Sequence, residues 1–578
     1  MTSAEDLVAR VRAGEPLDGA VLDSLDLRER KLAGAKLAGA TLVNVMLDGA
    51  DLSHADLSGA RLFECSLDGA ILDGVDLSDS EVGATSCDGG DFRSCTLTGA
   101  KLLMCKLNGA RFDGIALTDA ALAKCELEKA SFAGAQLTRV HLDVSQLRGA
   151  NMSSVTASEC TFGRADARAA NFTGAVLDRC SFAGADLSDA SFEGARLEHD
   201  NFPLANLTRT RLSNTMVGCV FIGAFVVPPD ADTNEPNDGT EHTLDLSGYE
   251  FRGANLERTM LTGAILRGCD FREANLEGAS LSECDLRDAR FEGANLFRSI
   301  LKGANLSGVN LQGQRLRLGM WMEADLSAAD LSGAHVDLTM LQQSDLRGTN
   351  LERAAVENSI LDKARLEGIV VKKTRFERVG FEKLDMRRFP FDGLSMRQCD
   401  FSHCNLSGMR ITDCDFSMSN FTSADMTGIT LEDCSLEMAT AKDAILKGAD
   451  MRGADGKGVY FGGASLRGAN LSEARLRYSI FTGADLGKAL FIGADLRDAM
   501  LDGVSAHEAC FQSATMVYAD LSHTDVRGAD FSMANMNGAR THGLDDHEAV
   551  YDGSLRLLQR GTDDKLYAAE KLNPAKGG

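Results

Sequence analysis

Cysteine, histidine and acidic side chains are the groups of this chain that could carry chemistry. The 578 residues include 15 cysteines, 10 histidines and 85 aspartates and glutamates. A zinc site would need closely spaced thiols and imidazoles, as in C-x₂-C pairs, whereas the histidines stand singly and no C-x₂-C occurs. There is also no P-loop, no H-E-x-x-H and no G-x-S-x-G, the motifs that would indicate phosphate, metalloprotease or serine-hydrolase chemistry. We predict neither a bound metal ion nor a cofactor.

A five-residue beat runs through nearly the whole chain and must position these side chains. In Gly49–Leu72, GADLSHADLSGARLFECSLDGAIL, a small residue is followed by a polar residue and then by Leu or Phe. On an α-helix a step of five would displace successive leucines by about 140°, and on a continuous strand it would alternate faces. Only a bend in each pentad keeps every Leu facing inward. The beat therefore predicts a solenoid of short strands joined by tight turns.

The central apolar residue keeps its register in two tracts. The first tract runs from Leu17 to Ile222 and the second from Leu246 to Met536. The step from Ile222 to Leu246 is not a multiple of five. We therefore predict that the frame slips at an insertion between the tracts.

The phenylalanines indicate how many pentads make one coil. Twelve pairs of central phenylalanines are 20 residues apart, against seven pairs at 10 and two each at 15 and 25. Four pentads per coil would stack these rings at the strand spacing, about 4.8 Å. The predicted coil is square. About 25 such coils would span roughly 120 Å if the two tracts stack coaxially.

The A-(D/N)-L-x-x beat resembles the pentapeptide repeat family over about residues 17–541. The resemblance implies an all-β solenoid, a right-handed quadrilateral β-helix. A convex solenoid surface offers no obvious pocket in which two carboxylates could acquire separate pKa values for acid–base work. We therefore expect no enzyme activity.

Most cysteines belong to the core in this interpretation. Twelve of them stand two residues before the central residue, where Ala is usual: Cys65, Cys95, Cys105, Cys125, Cys160, Cys180, Cys269, Cys284, Cys399, Cys404, Cys414 and Cys434. Three pairs stand one predicted coil apart, at a spacing that allows a disulfide. Free, buried thiols in a reducing cytosol are the simpler interpretation.

Charge and hydropathy point to a cytoplasmic protein. The formal net charge is −25 and no run of 18 apolar residues occurs, so no membrane span is predicted. The first residues, MTSAEDLVARVRAGEP, are acidic and amphipathic, unlike a signal peptide. Export without a cleaved signal is the alternative.

Two internal departures from the beat are candidate partner-binding sites. The insertion 226–243 is rich in proline and carries five acidic residues and no Lys or Arg, which predicts a projecting loop: Asp230, Asp232, Glu235, Asp238 and Glu241. The second is a basic ring, whose members share the outward position two residues after the centre: Lys373, Arg378, Lys383 and Arg388. For the loop, the alternative is a flexible hinge. For the ring, the alternative is a belt of solvated charges without a partner. The ring has no aromatic platform beside it, so direct nucleic-acid binding is not expected.

The two ends lack the beat. Ser3–Ala13 reads as a short helix with Ser3 as its N-cap and Gly14 as its stop, and residues 542–578 look helical in two pieces. We divide the chain into a helical cap (1–16), a first tract (17–225), the acidic loop (226–243), a second tract (244–541) and a C-terminal cap or tail (542–578). Capping protects the terminal edges of a solenoid, and homodimerisation through the tail is the alternative.

Two functions follow from the resemblance. Long family members are associated with bacterial secretion systems, type VI among them, as accessory or adaptor proteins, and the length of this chain favours that class. Another branch mimics DNA and protects gyrase-type topoisomerases. A duplex of about 120 Å carries about 70 negative charges, whereas 60 Lys and Arg are mixed among the acidic residues here. We therefore predict a non-enzymatic scaffold or adaptor with an unidentified protein partner, and DNA mimicry as the alternative.

Overall fold

The computed structural model describes residues 3–226 and 243–572. The chain forms two compact units, Met1–Ile300 and Leu301–Gly578. Each unit is a parallel β-solenoid in which one turn takes four pentads, as the pairing of Leu22 with Leu42 and of Leu316 with Val336 shows. This confirms the predicted solenoid and its four pentads per coil. No helix in these residues has the length and apolar character needed to cross a membrane.

Short strands alternate with left-handed corners. The first unit has a helix, α1 (Ala4–Arg12), and the strands β1 (Val21–Asp23), β2 (Thr41–Val43), β3 (Arg61–Phe63), β4 (Glu81–Gly83), β5 (Lys101–Leu103), β6 (Ala116–Thr118), β7 (Gln136–Thr138), β8 (Thr156–Ser158), β9 (Val176–Asp178), β10 (Arg196–Glu198) and β11 (Met216–Val217). The second unit has β12 (Arg315–Arg317), β13 (His335–Asp337), β14 (Ala355–Glu357), β15 (Arg375–Glu377), β16 (Ser395–Arg397), β17 (Arg410–Thr412), β18 (Thr430–Glu432) and α2 (Asp564–Leu572). All the strand pairs are parallel, in the sheets β1–β5, β6–β11, β12–β16 and β17–β18. Single bridges between successive coils, such as Asp26↔Met46, continue the ladders on the other sides.

The pentad explains why these residues form a coil. The central Leu17 is buried, and the N–H of Ala20 donates to its carbonyl at 3.0 Å to close the turn. The residue two places after the centre is left-handed, as at Gly49 (φ 63°) and His54 (φ 57°). The Gly, Asp, Asn and Ser expected after each Leu tolerate such corners. Each coil also bonds to the next, as where Leu17 N donates to Lys36 O at 2.8 Å.

Aromatic columns fill the core as predicted. Phe162, Phe182 and Phe202 stack with ring centroids 4.6 and 4.9 Å apart. A second column runs beside it, because Phe172 meets Phe182 edge-on at 5.8 Å. Stacked columns also occur at Phe92/Phe112/Phe132, Phe251/Phe271/Phe291, Phe381/Phe401/Phe421 and Phe491/Phe511/Phe531.

The cysteines are free thiols, and fourteen of the fifteen are buried. Their position lets the thiol donate to a carbonyl of the preceding coil, as from Cys125 Sγ to Leu102 O at 3.2 Å. Serine and threonine use the same geometry, as from Ser145 Oγ to Leu122 O at 2.7 Å. Burial raises the pKa of the Cys269 thiol to about 12, so this thiol is a poor nucleophile at neutral pH.

The frame slip lies earlier than predicted. Met216 and Phe221 are buried, whereas Ile222 is half exposed. Phe221 stacks on Phe202 at 4.8 Å, and Leu197 pairs with Met216, so this coil is one residue shorter than four full pentads. The register therefore changes between Leu212 and Met216, and the prediction that Ile222 is central was wrong.

The solenoid continues across the insertion within the first unit. Thr215 pairs with Asn255, and Val220 pairs with Met260, so each bridge joins residues from opposite sides of the insertion. Val226 N lies 3.4 Å from Thr243 O, so the insertion leaves and returns at neighbouring points. The coils on either side of it are bonded to each other directly.

The two ends differ. Ser3 caps α1 by accepting from Asp6 N at 3.2 Å, and Leu7 of α1 is fully buried, as the predicted cap requires. At the other end the coil continues to the bridge Arg540↔Arg560, and α2 is the single helix in the described residues beyond it. The predicted boundary at residue 541 is too early, because the first of the two predicted helical pieces belongs to the last coil.

Candidate protein-binding surface

Aspartate–arginine pairs cover much of the surface. An Asp before the central residue accepts two hydrogen bonds from an Arg after it, as between Asp270 and Arg272 Nε at 2.8 Å and Nη2 at 2.5 Å. This hydrogen bonding lowers the pKa of Asp270 to about 2. The pairing recurs at Asp26–Arg28, Asp91–Arg93, Asp166–Arg168, Asp285–Arg287, Asp345–Arg347, Asp385–Arg387, Asp450–Arg452, Asp495–Arg497 and Asp525–Arg527. The net negative charge is therefore interrupted by neutral pairs.

The basic ring occupies four different sides of one coil. Its members follow four separate ladders, Asn350↔Val370, β14–β15, Ile360↔Gly380 and Asp385↔Asn405. Arg378 is engaged by Glu377 and by Gln398 Oε1 at 3.1 Å, and Lys383 by Glu382 at 2.5 Å. Lys373 and Arg388 sit at the same outward position on the two remaining sides. The structure does not bring the four side chains together into one face, and their role stays a prediction.

The acidic loop residues Asp230, Asp232, Glu235, Asp238 and Glu241 lie outside the described residues. Their role in binding also stays a prediction.

One corner of the second unit carries a line of large apolar side chains. It consists of residues that share one position on different coils, which we term the apolar corner: Met418, Met438, Tyr478, Tyr518 and Leu558. Their exposed fractions are 48, 59, 47, 64 and 85%. All five are left-handed, with φ between 58° and 63°. The ladder Thr440↔Tyr460↔Ile480↔Met500 runs beside them and adds exposed Met500.

Left-handed residues other than glycine occur at every corner of these coils, for example Ser423, Asp433 and Lys488, so it is the exposed apolar side chains that distinguish the apolar corner. A side chain in the left-handed region costs about 1–2 kcal/mol relative to glycine. On another corner of the same coils the sequence uses Gly408, Gly428, Gly448 and Gly468 in this conformation. The strain at the apolar corner is not offset by burial of the side chains, because they are exposed.

Two glycines keep the apolar corner flat. A Cβ at Gly458 would lie 3.0 Å from Met438 Sδ, and one at Gly538 would lie 2.5 Å from Tyr518 Cε1. Both side chains therefore fold along the corner over the next coil. Arg477 lies 4.6 Å from the centroid of the Tyr478 ring, a cation–π contact that holds this ring in place. The same position on the coil between Tyr478 and Tyr518 holds Asp498, which Arg477 pairs at 3.3 Å. The corner is therefore a narrow strip of apolar side chains that one neutralised carboxylate interrupts.

Buried polarity in the first unit is concentrated at Asp200. This carboxylate is fully buried in a column of thiols, Cys160, Cys180 and Cys219. It accepts from Cys180 N at 2.6 Å and from Glu198 N at 3.1 Å. Burial raises its pKa to about 7, against the lowering effect of the two N–H groups.

Two histidines meet the C-terminal helix in the second unit. His523 Nε2 and His542 Nε2 each lie 3.1 Å from Glu570 Oε2 of α2. The two imidazoles and the carboxylate each bring one nitrogen or oxygen atom within 4.8 Å of the others. In the sequence the histidines stand singly. The sequence feature that could have predicted this cluster is the spacing of the two histidines, which is almost one coil. The apolar corner could have been predicted in the same way, because its residues are separated by whole coils.

An open polar groove of about 630 Å³ lies elsewhere on the second unit. It is lined by ion pairs, Arg410–Glu432 at 2.5 Å and Arg452–Asp450 at 2.8 Å, with Glu473 beside them. Because these bases are already bound by acids, the groove offers no unpaired base for an anionic ligand.

A solenoid built of pentads defines a repeat protein, and the comparisons specify its family. The model described as pentapeptide repeats matches residues 26–62, 83–114, 117–154, 160–199, 185–218, 245–278, 274–313, 322–368, 457–491, 469–505, 479–516 and 507–540. A second model, described as a pentapeptide repeat region, matches residues 394–471. The chain belongs to the pentapeptide repeat family.

Solved structures of family members are among those similar to this chain. A trypsin-treated variant of QnrB1, a plasmid-mediated fluoroquinolone resistance protein, is 22% identical, with 33% of this chain and 93% of that chain covered and a TM-score of 0.19. HetL of Nostoc sp. strain PCC 7120, involved in heterocyst differentiation regulation, is 22% identical, with 52% and 98% covered and a TM-score of 0.15. A thylakoid-lumen pentapeptide repeat protein of Arabidopsis thaliana is 26% identical, with 22% and 85% covered and a TM-score of 0.11. No curated protein matches the chain significantly.

Proposed function

We propose that this chain is a non-enzymatic scaffold that binds a protein partner along the apolar corner. The observation that carries the proposal is the row of exposed, left-handed Met and Tyr residues at one corner of the second unit. Tyr and Met are enriched in protein interfaces, and Met adapts its shape to a partner. An exposed apolar strip on a charged surface marks an interaction site.

The shape of the corner favours a long partner element. The strip is one side chain wide and runs over several coils, from Met418 to Leu558. It encloses no cavity that would accept a small molecule. An amphipathic helix laid along the coils would cover it with an i, i+3, i+4, i+7 row of apolar residues.

The biological setting of this scaffold is a second part of the proposal. The resemblance to long pentapeptide repeat proteins leads us to propose an accessory or adaptor role in a bacterial secretion system of the type VI kind, in the cytoplasm. Mimicry of DNA toward a gyrase-type topoisomerase is less favoured. A DNA mimic needs a continuous acidic surface, whereas Asp–Arg pairs such as Asp345–Arg347 interrupt this one.

The test replaces Met438, Tyr478 and Tyr518 together by Asn, which tolerates the left-handed corner. The control makes the same Asn replacement at Met104, Val144 and Leu204. These residues are also exposed and left-handed, and they lie at one corner of the first unit. Full-length proteins are expressed in the source organism, and co-purifying proteins are quantified by mass spectrometry. We expect a partner retained by the wild type and the control to fall at least tenfold with the triple variant.

The identity of that partner decides between the settings. Components of a secretion machine support the adaptor role, and a topoisomerase supports mimicry. A partner retained equally by all three proteins would show that the apolar corner is not the binding surface.

A further inference from the structure

The C-terminal helix α2 rests on the solenoid through few side chains. Tyr567 meets the His542 ring edge-on at a centroid distance of 5.8 Å and lies close enough to Gly543 that a Cβ there would be 2.9 Å from its ring. Glu570 contacts His523 and His542. The other side chains of the helix as far as Lys571 are exposed, Leu566 among them. The docking of α2 therefore depends strongly on the two histidines.

The hydrogen bonds of His542 fix where its proton lies. Asp563 N donates to His542 Nδ1 at 3.2 Å, so Nδ1 is an acceptor and carries no proton. Nε2 must then carry the proton that is donated to Glu570 Oε2 at 3.1 Å. His542 is neutral in this arrangement.

His523 is placed between two carboxylates. Its Nδ1 lies 3.0 Å from Asp502 Oδ1, and its Nε2 lies 3.1 Å from Glu570 Oε2. An ionised carboxylate only accepts hydrogen bonds, so both contacts are satisfied only when both ring nitrogens are protonated. The hydrogen bond to Asp502, followed by that to Glu570, raises the pKa of His523 above its usual value.

We propose that a single proton on His523 latches α2 to the solenoid, so that the helix docks when the imidazole is doubly protonated and is released when it becomes neutral. The titratable groups that face His523 are Asp502 and His542 on the coils and Glu570 on α2. When one proton leaves, one carboxylate faces a nitrogen lone pair instead of an N–H group. In either tautomer the ring has lost its positive charge, so the charge attraction between His523 and Glu570, which joins the two elements, is lost.

The sign of the pH dependence follows from these groups. His523 has a raised pKa in the docked state, so its contribution is complete below about 6.5, the value of a free imidazole, and is lost as the pH rises through the raised value. The histidines, His523 first, lower the pKa of Glu570, so its contribution is lost only in acid. Docking is therefore strongest in weak acid and weakens toward alkaline pH.

A metal ion is the competing explanation of this cluster, and His542 argues against it. A cation held by both Nε2 atoms and Glu570 would displace the Nε2 proton of His542. The neutral ring would then carry its proton on Nδ1, where Asp563 N already points a donor at 3.2 Å. The N–H of Asp563 and the Nδ1–H of His542 would then face each other. With His523 doubly protonated and no cation, each ring nitrogen of the two histidines has a hydrogen-bond partner.

Hydrogen–deuterium exchange of the full-length protein tests the latch. Exchange of the Asp564–Leu572 amides is measured from pH 6 to 9 in EDTA, with labelling times corrected for the intrinsic exchange rate. We expect protection in the wild type to fall at least tenfold over this range. His523→Arg, which stays charged, should protect α2 at both ends of the range, and Asp502→Asn should move the midpoint to lower pH.

The neutral variant and a matched histidine provide the controls. His523→Gln should leave α2 unprotected at every pH. His547→Gln changes an exposed histidine near Glu548, in the coil that contains His542, and should behave as the wild type. Equal protection of wild-type α2 at pH 6 and 9 would overturn the proposal. So would an unchanged pH dependence in His523→Gln, or protection at pH 9 that returns when Zn²⁺ replaces EDTA, because a cation would then be the latch.

Discussion

At the scale of single residues, Asp200 is the least expected side chain of the core. Its position normally holds Ala or Cys, and its carboxylate is fully buried with a pKa raised to about 7. A carboxyl whose pKa is higher in the folded state favours folding at low pH. The unfolding free energy should therefore fall as the pH rises from about 4 to 7, by an amount of the order of 4 kcal/mol.

Replacing Asp200 by Ser should remove this dependence. A serine hydroxyl already accepts from the corresponding N–H group elsewhere, as Ser145 does from Cys125 N and Ser419 does from Cys399 N, both at 3.0 Å. Thermal melts at pH 5 and pH 8 should show Asp200→Ser more stable than the wild type at pH 8, with a smaller difference at pH 5. Asp18→Ser, at an exposed carboxylate of the same unit, is the control. An equal shift at both pH values would contradict the burial argument.

The aromatic columns give a second prediction at this scale. Phe182 is stacked between Phe162 and Phe202 and meets Phe172 and Phe192 edge-on at 5.8 and 5.9 Å. Phe182→Ala should cost roughly 3–5 kcal/mol by leaving a cavity in a rigid column. Denaturant unfolding measures this loss. Phe63→Ala, at a ring that is 39% exposed, should cost much less, and a similar loss for both would show that the column adds nothing.

At the scale of elements, the sequence predicts the repeating coil and misses the places where it changes. The slip between Leu212 and Met216 was missed because Met216–Val217 and Phe221–Ile222 are both pairs of apolar residues. Either member of each pair fits the beat. The structure decides between them, because Phe221 is buried and stacks on Phe202.

The last coil was missed for a different reason. Its central residues are Thr541, Asp546, Tyr551 and Arg556, and Asp546 and Arg556 are exposed. No further coil follows in the described residues to cover them, so apolar residues are not required there. The backbone keeps its ladder to Arg560 although the hydrophobic pattern has ended. A hydrophobic pattern indicates which side chains are buried, so it cannot predict a coil whose side chains are exposed.

The insertion gives the prediction that belongs to this scale. Val226 and Thr243 are adjacent, and the coils on either side pair directly through Thr215↔Asn255 and Val220↔Met260. Replacing residues 227–242 by Gly-Asn-Gly should therefore change the melting temperature little, since long surface loops contribute little to closure energy. Deletion of residues 256–260, one pentad of a regular coil, is the control and should lower it strongly. A large loss in the first variant would show that the insertion supports the solenoid.

At the scale of the whole molecule, the repeat determines which residues can act together. Residues one coil apart share a side, so the apolar corner and the His523–His542 cluster could be read from the sequence once the coil length is known. The basic ring has the opposite arrangement. Its members are one pentad apart, so Lys373 and Arg378 lie on different sides, and a flat partner could contact only one or two of them.

The three candidate surfaces can be separated with one set of proteins. A partner that binds the apolar corner should lose affinity at least tenfold with Met438, Tyr478 and Tyr518 replaced by Asn, because the apolar area that it covers is removed. Charge reversal at Lys373, Arg378, Lys383 and Arg388 should then change affinity by less than threefold, and removal of residues 227–242, with its five acidic side chains, should do the same. Titration calorimetry with the purified partner measures all three affinities, and circular dichroism checks that each variant keeps the solenoid.

If the loop deletion abolishes binding while the corner variant binds normally, recognition lies in the acidic loop. If only charge reversal weakens binding, and added salt weakens binding by the wild type in parallel, recognition lies in the basic ring, and the exposure of Met438, Tyr478 and Tyr518 needs another explanation.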